Sequence, residues 1–293
     1  MNNNHHHSLP IVLSIAGFDP SCGAGVGADL KTISAHNCYG VSAITALTVQ
    51  STQGVTAAHA APAPVLRAQL DALADDLSIA AVKIGMLGSR ANAVAVAEFL
   101  DQRQFAHVVL DPVIQASAGG PELLDASGVK YLSDELMKRA SVVTPNIDEA
   151  ARLSGMEIKD VAGMEAAARE LVGRGARAVV VTGGHLERAV DVLFDGTEIF
   201  ALGGDHVKSE NTHGTGCTFA SAIASQLASG RPLREAVMLA KAYVTKAIEN
   251  SFSIGKGAGP LDHFYRSHLE PPARGIHEVP QHGMHPASEP ATR

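Results

Sequence analysis

Residues 211 to 230 read NTHGTGCTFASAIASQLASG. Gly214 and Gly216 flank Thr215, Cys217 follows, and an apolar helical run begins at once. Small residues let successive backbone N–H groups point into one concavity, and a helix start adds partial positive charge. Such a turn binds phosphate, or the negative charge that develops as phosphate is transferred. Loss of one fixed donor of this kind costs about 3–4 kcal/mol of barrier. No lysine follows the glycines, so this is not a Walker A loop. Cys217 falls in the first turn of the helix, where the dipole is expected to favour thiolate. That suits a group that accepts or orients the proton of an attacking hydroxyl. The competing role is a small packing residue, the commoner fate of a free cysteine.

Two carboxylates stand in comparable positions. Asp111 ends an apolar run and precedes Pro112, and Glu149 lies in TPNIDEA, where Thr144-Pro145-Asn146 reads as a helix start. Such a pair suits Mg²⁺, which keeps several waters and takes few carboxylates. A turn-forming aspartate and an exposed helical glutamate fit the same residues, and the local sequence leaves both roles open.

A second glycine loop, GFDPSCGAGVGADL from Gly17 to Leu30, follows the first apolar run. Gly23, Gly25 and Ala28 match the dinucleotide fingerprint G-x-G-x-x-[GA]. That site usually has an acid about 20 residues on to hold the ribose, yet no acidic residue occurs from Leu30 to Leu70. The glycines are better read as a tight strand-to-helix turn. Asp29 is then either a first-turn carboxylate favoured by the helix dipole or an acid facing a ligand. Cys38 is assigned to packing, and Cys22 stays undecided.

These loops need a framework. Short apolar runs at Ile11–Ala16, Ser42–Val49, Ala80–Ile84, His107–Asp111, Ser141–Thr144 and Ala178–Thr182 predict strands buried on both faces. Helical patterns between them include Ala91–Arg103 and Met164–Arg174. In the latter, Met164, Ala167, Ala168, Leu171 and Val172 form one buried stripe. The βαβα order predicts a doubly wound, mostly parallel α/β sheet in one domain. Ligands gather at the carboxyl ends of such strands, where GFDPSCGAG, QSTQG, GML, DPVIQASAGG, TPNIDEA and TGGH all fall.

The bulk composition narrows the class. The chain has 293 residues, 46% of them hydrophobic, and a net charge of −7. Nothing favours nucleic acid or an anionic membrane as partner, and no apolar run is long enough to span a bilayer. Trp is absent and aromatics make up 4%, which argues against a base- or sugar-stacking surface. Three scattered cysteines and no signal-peptide pattern imply a reduced, cytoplasmic setting. Residues 1–8 are a polar tail, residues 9–266 the expected domain, and residues 267–293 a Pro/His-rich tail expected to be disordered.

In order along the chain, IAGFDPSCGAGVGADLKTISAHNCYGVSAITALTVQSTQGV, KIGML, LDPV, TPNIDEA, GGHL, NTHGTGCTFASAIA and GKGAGPLDHFY closely resemble the hydroxymethylpyrimidine/phosphomethylpyrimidine kinases of thiamine biosynthesis. These belong to the ribokinase-like superfamily. The resemblance runs from about residue 9 to 266 and implies a ribokinase-like fold. It also implies ATP-dependent phosphorylation of 4-amino-5-hydroxymethyl-2-methylpyrimidine and then of its monophosphate. By the same resemblance, pyrimidine contacts fall on Gly17, Asp29, Gln50, Met86, Val113 and Cys217. Gly214, Thr215, Gly216 and Cys217 form the catalytic anion hole. ATP lies against Asn146, Thr182, Lys208 and Thr215, and Mg²⁺ lies near Asp111 and Glu149 through water. A homodimer is implied as well.

The sequence departs from the family pattern at several points. Phe18 replaces a Ser or Thr, and Cys22 replaces a glycine. Ser117 and Thr182 stand where lysines are usual, which puts catalytic vigour or substrate preference in question. Lys208 and Lys241 are the candidates to replace that charge. A pyridoxal kinase of the same branch is the nearest alternative. A dinucleotide-dependent oxidoreductase is disfavoured by the missing ribose acid, and the lost lysines bring a non-catalytic nucleotide-binding protein into view.

Overall fold

The structure is a computed structural model that describes residues 9–116, 120–184, 189–204 and 207–269. Its strands are β1 (Ile11–Phe18), β2 (Tyr39–Ser51), β3 (Gly54–Ala60), β4 (Ile79–Ile84), β5 (Val108–Leu110), β6 (Val142–Val143), β7 (Val179–Val181), β8 (Ala189–Phe194) and β9 (Ile199–Gly204). They form one nine-stranded sheet in the order β3-β2-β1-β4-β5-β6-β7-β8-β9. The six strands from β2 to β7 in that order run parallel, and β3, β8 and β9 are antiparallel. The helices are α1 (Gly25–Ala35), α2 (Ala63–Asp76), α3 (Arg90–Gln102), α4 (Ala126–Tyr131), α5 (Ile147–Ser154), α6 (Val161–Gly173), α7 (Thr215–Ala228) and α8 (Leu233–Glu249). None is long and apolar enough to cross a membrane.

The pleat divides the interior in two, because successive strand side chains point to opposite faces. Leu13 and Ile15 of β1 join Leu66 of α2, Phe99 of α3 and Leu171 of α6 in one core. Val12 of the same strand joins Ile33 of α1, Ile223 of α7 and Tyr243 of α8 in the other. This is the doubly wound arrangement expected from the sequence. Each predicted strand is present, with shifted ends. α3 and α6 begin earlier than their apolar stripes because side chains cap them: Ser89 Oγ accepts from the Asn92 N–H at 3.2 Å, and Asp160 Oδ1 from the Gly163 N–H at 2.8 Å.

Both sheet edges differ from expectation. Gln50 and Ser51 continue β2 instead of starting a loop, and the chain turns back into β3 through Gly54 at φ 128°. At the other edge, Asp195 Oδ1 accepts from the N–H groups of Thr197 and Glu198, both at 2.8 Å, and closes the β8–β9 hairpin. A short 3-10 turn, Tyr265–Leu269, lies across the expected boundary at 266. Ser117, His185 and the tail residues 270–293 lie outside the described residues.

Candidate active site

The turn before α7 is built so that its amides stay free. Gly214 caps the helix at φ 81°, and a Cβ there would sit 1.9 Å from the Gly23 carbonyl oxygen, so only glycine fits. Thr215 turns back on its own segment, its N–H and hydroxyl both donating to the Thr212 carbonyl, at 3.3 and 2.7 Å. No side chain caps α7, so the first-turn N–H groups of Gly216 and Cys217 have no acceptor within the helix. The segment is held from behind by the GKGAGP stretch. The Gly257 N–H donates to Thr52 Oγ1 at 3.2 Å, the Gly259 N–H to Asn211 Oδ1 at 3.0 Å, and the His213 N–H to the Gly259 carbonyl at 3.3 Å.

Beneath this turn lies a buried charge cluster centred on Lys83, a fully buried lysine of β4. Its Nζ donates to both oxygens of Asp29 at 2.9 and 3.0 Å and stands 3.7 Å from Asp111 Oδ2. Asp29 also accepts from Ser14 Oγ at 2.6 Å and Ser221 Oγ at 2.8 Å. Burial works against the lysine's charge, but Asp29 foremost, then Cys217 and Asp111, hold the ammonium above its ordinary range. Asp111 is the unsatisfied member, since its Oδ2 is buried with no hydrogen-bond partner among the described residues. Burial pushes its carboxyl above the usual range against the pull of Lys83, and Asp29 adds to the rise. Burial, then the charge of Asp111, pushes Glu149 up to about 8. Glu149 also completes a capping box with Asn146: its Oε2 accepts from the Asn146 N–H at 3.0 Å, and Asn146 Oδ1 accepts from the Glu149 N–H at 2.9 Å.

Two expectations are corrected here. Asp29 is not a first-turn carboxylate. It lies in the second turn of α1, is 0% exposed, and both its oxygens serve Lys83 and two serines. Cys217 is not drawn toward thiolate. Burial pushes its thiol up to about 12, Lys83 opposes this, and Asp111 and Asp29 add to it. Desolvation and two nearby carboxylates outweigh the helix end.

The remaining residues fall around this cluster. Met86 packs with Ala46, Leu123 and Val113 in a small apolar patch, and a Cβ on Gly17 would meet the Met86 sulfur at 2.8 Å. Gly17, Met86 and Val113 therefore line one place. Gln50, half-buried at the end of β2, lies 3.1 Å from His213 in the turn before α7. Asn146 and Thr182 meet in a parallel bridge, with the Thr182 N–H donating to the Pro145 carbonyl at 2.9 Å. Lys208 is exposed. Lys241 is committed to Asp191 at 2.8 Å, and the other Asp191 oxygen accepts from the Gly183 N–H at 3.1 Å.

The opening glycine loop is a packing device. A Cβ on Gly23 would lie 2.3 Å from the His213 ring, and one on Gly25 would lie 2.3 Å from the Gly17 carbonyl oxygen. Asp19 holds the loop from inside, accepting from the N–H groups of Ser21 at 2.8 Å and Ala24 at 3.0 Å. His213 reaches it across the gap, Nε2 to Oδ2 at 2.9 Å. Cys22 stands in the left-handed region at φ 55°, which explains why a glycine is usual there. Sequence reasoning did not single out Lys83, Asp19 or His213. Lys83 had a legible signal, one cation inside an otherwise apolar strand, which a protein interior tolerates only when it is paired.

Residues 19–262 match the model of the family described as phosphomethylpyrimidine kinase. The chain belongs to this family. It is 47% identical over 262 residues to the hydroxymethylpyrimidine/phosphomethylpyrimidine kinase of Rhizobium meliloti, covering 87% of this chain and 97% of that protein. It is also 47% identical over 254 residues to the thiamine biosynthesis bifunctional protein ThiED of Geobacter sulfurreducens, covering 86% of this chain and 52% of that protein. The chain thus spans about half of the bifunctional relative and nearly all of the shorter one. Among solved structures, an ADP complex of Bacillus subtilis pyridoxal kinase matches with a TM-score of 0.81 and 36% identity, over 87% of this chain and 98% of that one. The fold is therefore the one this family of kinases shares with pyridoxal kinase, and the chain is a phosphotransferase.

Proposed function

We propose that the chain phosphorylates 4-amino-5-hydroxymethyl-2-methylpyrimidine with ATP, and then phosphorylates the monophosphate to the diphosphate. The observation that carries this reading is the free-amide turn of Gly216 and Cys217 standing over the Lys83–Asp111 cluster. The apolar patch of Met86 and Val113 lies against Gly17 and gives a flat ring a place to rest. Asn146, Thr182 and Thr215 take the nucleotide, with the exposed Lys208 as the cation for its phosphates.

In the reaction, the substrate's hydroxyl oxygen forms a bond to the γ-phosphorus as the bond to ADP breaks. The free amides take up the charge on the transferring phosphoryl oxygens. The Cys217 thiol lies within electrostatic reach of the Asp111 carboxyl. The hydroxyl proton passes to the sulfur as the thiol's own proton passes to the Asp111 carboxylate, so Cys217 acts as a relay and never as a free thiolate. Asp111 and Glu149 fit a hydrated divalent cation, because Asp111 Oδ2 is a buried acceptor with no hydrogen bond among the described residues and both carboxyls are pushed above the usual range. Bound there, Mg²⁺ supplies charge neutralisation for the nucleotide's phosphates.

A coupled assay of ADP release with hydroxymethylpyrimidine, its monophosphate and pyridoxal tests the reading. Stimulation by the two pyrimidines is expected, and no stimulation by any of the three overturns it. Pyridoxal is the second reading, favoured by the likeness to pyridoxal kinase, and a response to pyridoxal alone would establish it. The homodimer belongs to the same proposal. Leu47 and Val49 lie more than half exposed on β2 beside the edge strand β3, an apolar surface suited to association. Light scattering gives the mass in solution.

A further inference from the structure

Around Gln50, the hydrogens of two contacts do not add up until one group is turned. His213 Nε2 lies 2.9 Å from Asp19 Oδ2 and 3.1 Å from the Gln50 amide nitrogen. Asp19 accepts at both oxygens, from Ser21 and from Ala24. It is therefore a carboxylate with no hydrogen to give, and Nε2 must carry one. An imidazole N–H facing an NH₂ group is a donor against a donor. The other end of the amide has the matching fault. Thr48 Oγ1 lies 3.0 Å from the Phe18 carbonyl and 3.2 Å from Gln50 Oε1. Its single hydrogen cannot serve both acceptors. Turning the amide by half a rotation removes both conflicts at once. The oxygen then accepts from His213, and the NH₂ donates to Thr48, which keeps its bond to Phe18.

We infer that His213, held by Asp19, is a positioning residue that fixes the sense of the Gln50 amide, and through it the register in which the aminopyrimidine is read. The inference rests on the proposed contact between Gln50 and the pyrimidine. With one oxygen lone pair given to His213 and one N–H to Thr48, Gln50 keeps one acceptor and one donor in fixed places. An aminopyrimidine offers the complement, a ring nitrogen that accepts and an exocyclic amino group that donates. A free amide would present either sense and would have to be ordered by each substrate on binding.

The test is steady-state kinetics on the full chain as wild type, H213A, H213Q, Q50A and H213A/Q50A. Gln keeps an N–H near the Nε2 position and so serves as the conservative variant. H213A is expected to raise the pyrimidine KM about tenfold with kcat and the ATP KM within about twofold, the loss that follows from an unmatched polar contact. H213Q should recover most of that loss, and H213A should add nothing on the Q50A background. Multiplying effects of H213A and Q50A would overturn the inference, as would equal rises in both KM values or an H213Q variant as impaired as H213A. If the wild type turns over pyridoxal and not the pyrimidine, the substrate reading falls, and the same five proteins assayed on pyridoxal still decide whether His213 acts through Gln50.

Discussion

Two glycine turns hand the chain into a helix, one behind β1 and one ahead of α7, and each holds a glycine at positive φ, 55° at Gly25 and 81° at Gly214. They differ in where their amides go. Behind β1, Asp19 collects the N–H groups of Ser21 and Ala24 with its side chain, and its carbonyl accepts from the Cys22 N–H. The donors are consumed by the chain itself. Ahead of α7 no carboxylate intervenes in the turn and no side chain caps the helix, so the amides remain for a ligand. Glycine spacing makes both turns possible. An acid inside the turn decides whether it is an anion site or a fold element.

The partners of the two turns separate in the same way. Asp29, in the helix behind the first, is saturated, and Asp111, beneath the second, keeps an orphan oxygen. The largest expected effect tests that contrast. Asp29→Ala strands the fully buried Lys83 and should destabilise the fold by about 3–5 kcal/mol in urea titrations. A stable variant with only a raised pyrimidine KM would return Asp29 to the substrate pocket. Next, Cys217→Ala should lower kcat at least about tenfold, as expected for a lost proton-relay group, while the unfolding midpoint stays close to wild type. Wild-type turnover would make Cys217 a packing residue.

A smaller effect concerns pH. Glu149 holds its proton up to about 8, against an ordinary 4.5. The folded state therefore binds more protons than the unfolded state between those values, and metal-free stability should fall as pH rises through that window. Glu149→Gln should remove this part of the slope, and Mg²⁺ should recover stability near the upper end by binding the ionised pair. Identical slopes for wild type and variant would mean that Glu149 is only a helix cap. The smallest change is Cys22→Gly, which relieves a left-handed backbone and should raise stability by no more than about 1–2 kcal/mol. A fall would show that the Cys22 side chain contributes packing that outweighs its strain.

The parallel core was legible because its strands are apolar on both faces and its helices carry buried stripes. The hairpins at the edges were harder to see. β3 alternates weakly and is largely exposed, so its only signal was Gly54 after a polar pair. β8 and β9 are joined by an Asp195-Gly196 pair, a hairpin turn signal flanked by short apolar runs. In the site, residue types at strand ends pointed to the right places. Their roles depended on partners far away in sequence. Asp29 changes meaning only once Lys83, Ser14 and Ser221 are around it, and the thiol of Cys217 only once two carboxylates and burial act on it. Such pairings join positions up to 192 residues apart, beyond the reach of any local pattern.

The brace behind the α7 turn also sets an order of events during synthesis. Strands β1 to β7 and the helices between them can assemble as the chain emerges, since domains fold as units while they are made. The Asn211 side-chain oxygen and the Thr52 hydroxyl stay without these donors until Gly257 and Gly259 have been added, close to the end of the described residues. Competence to bind phosphate thus arrives after the sheet is complete, and a nascent chain is a scaffold before it is a catalyst.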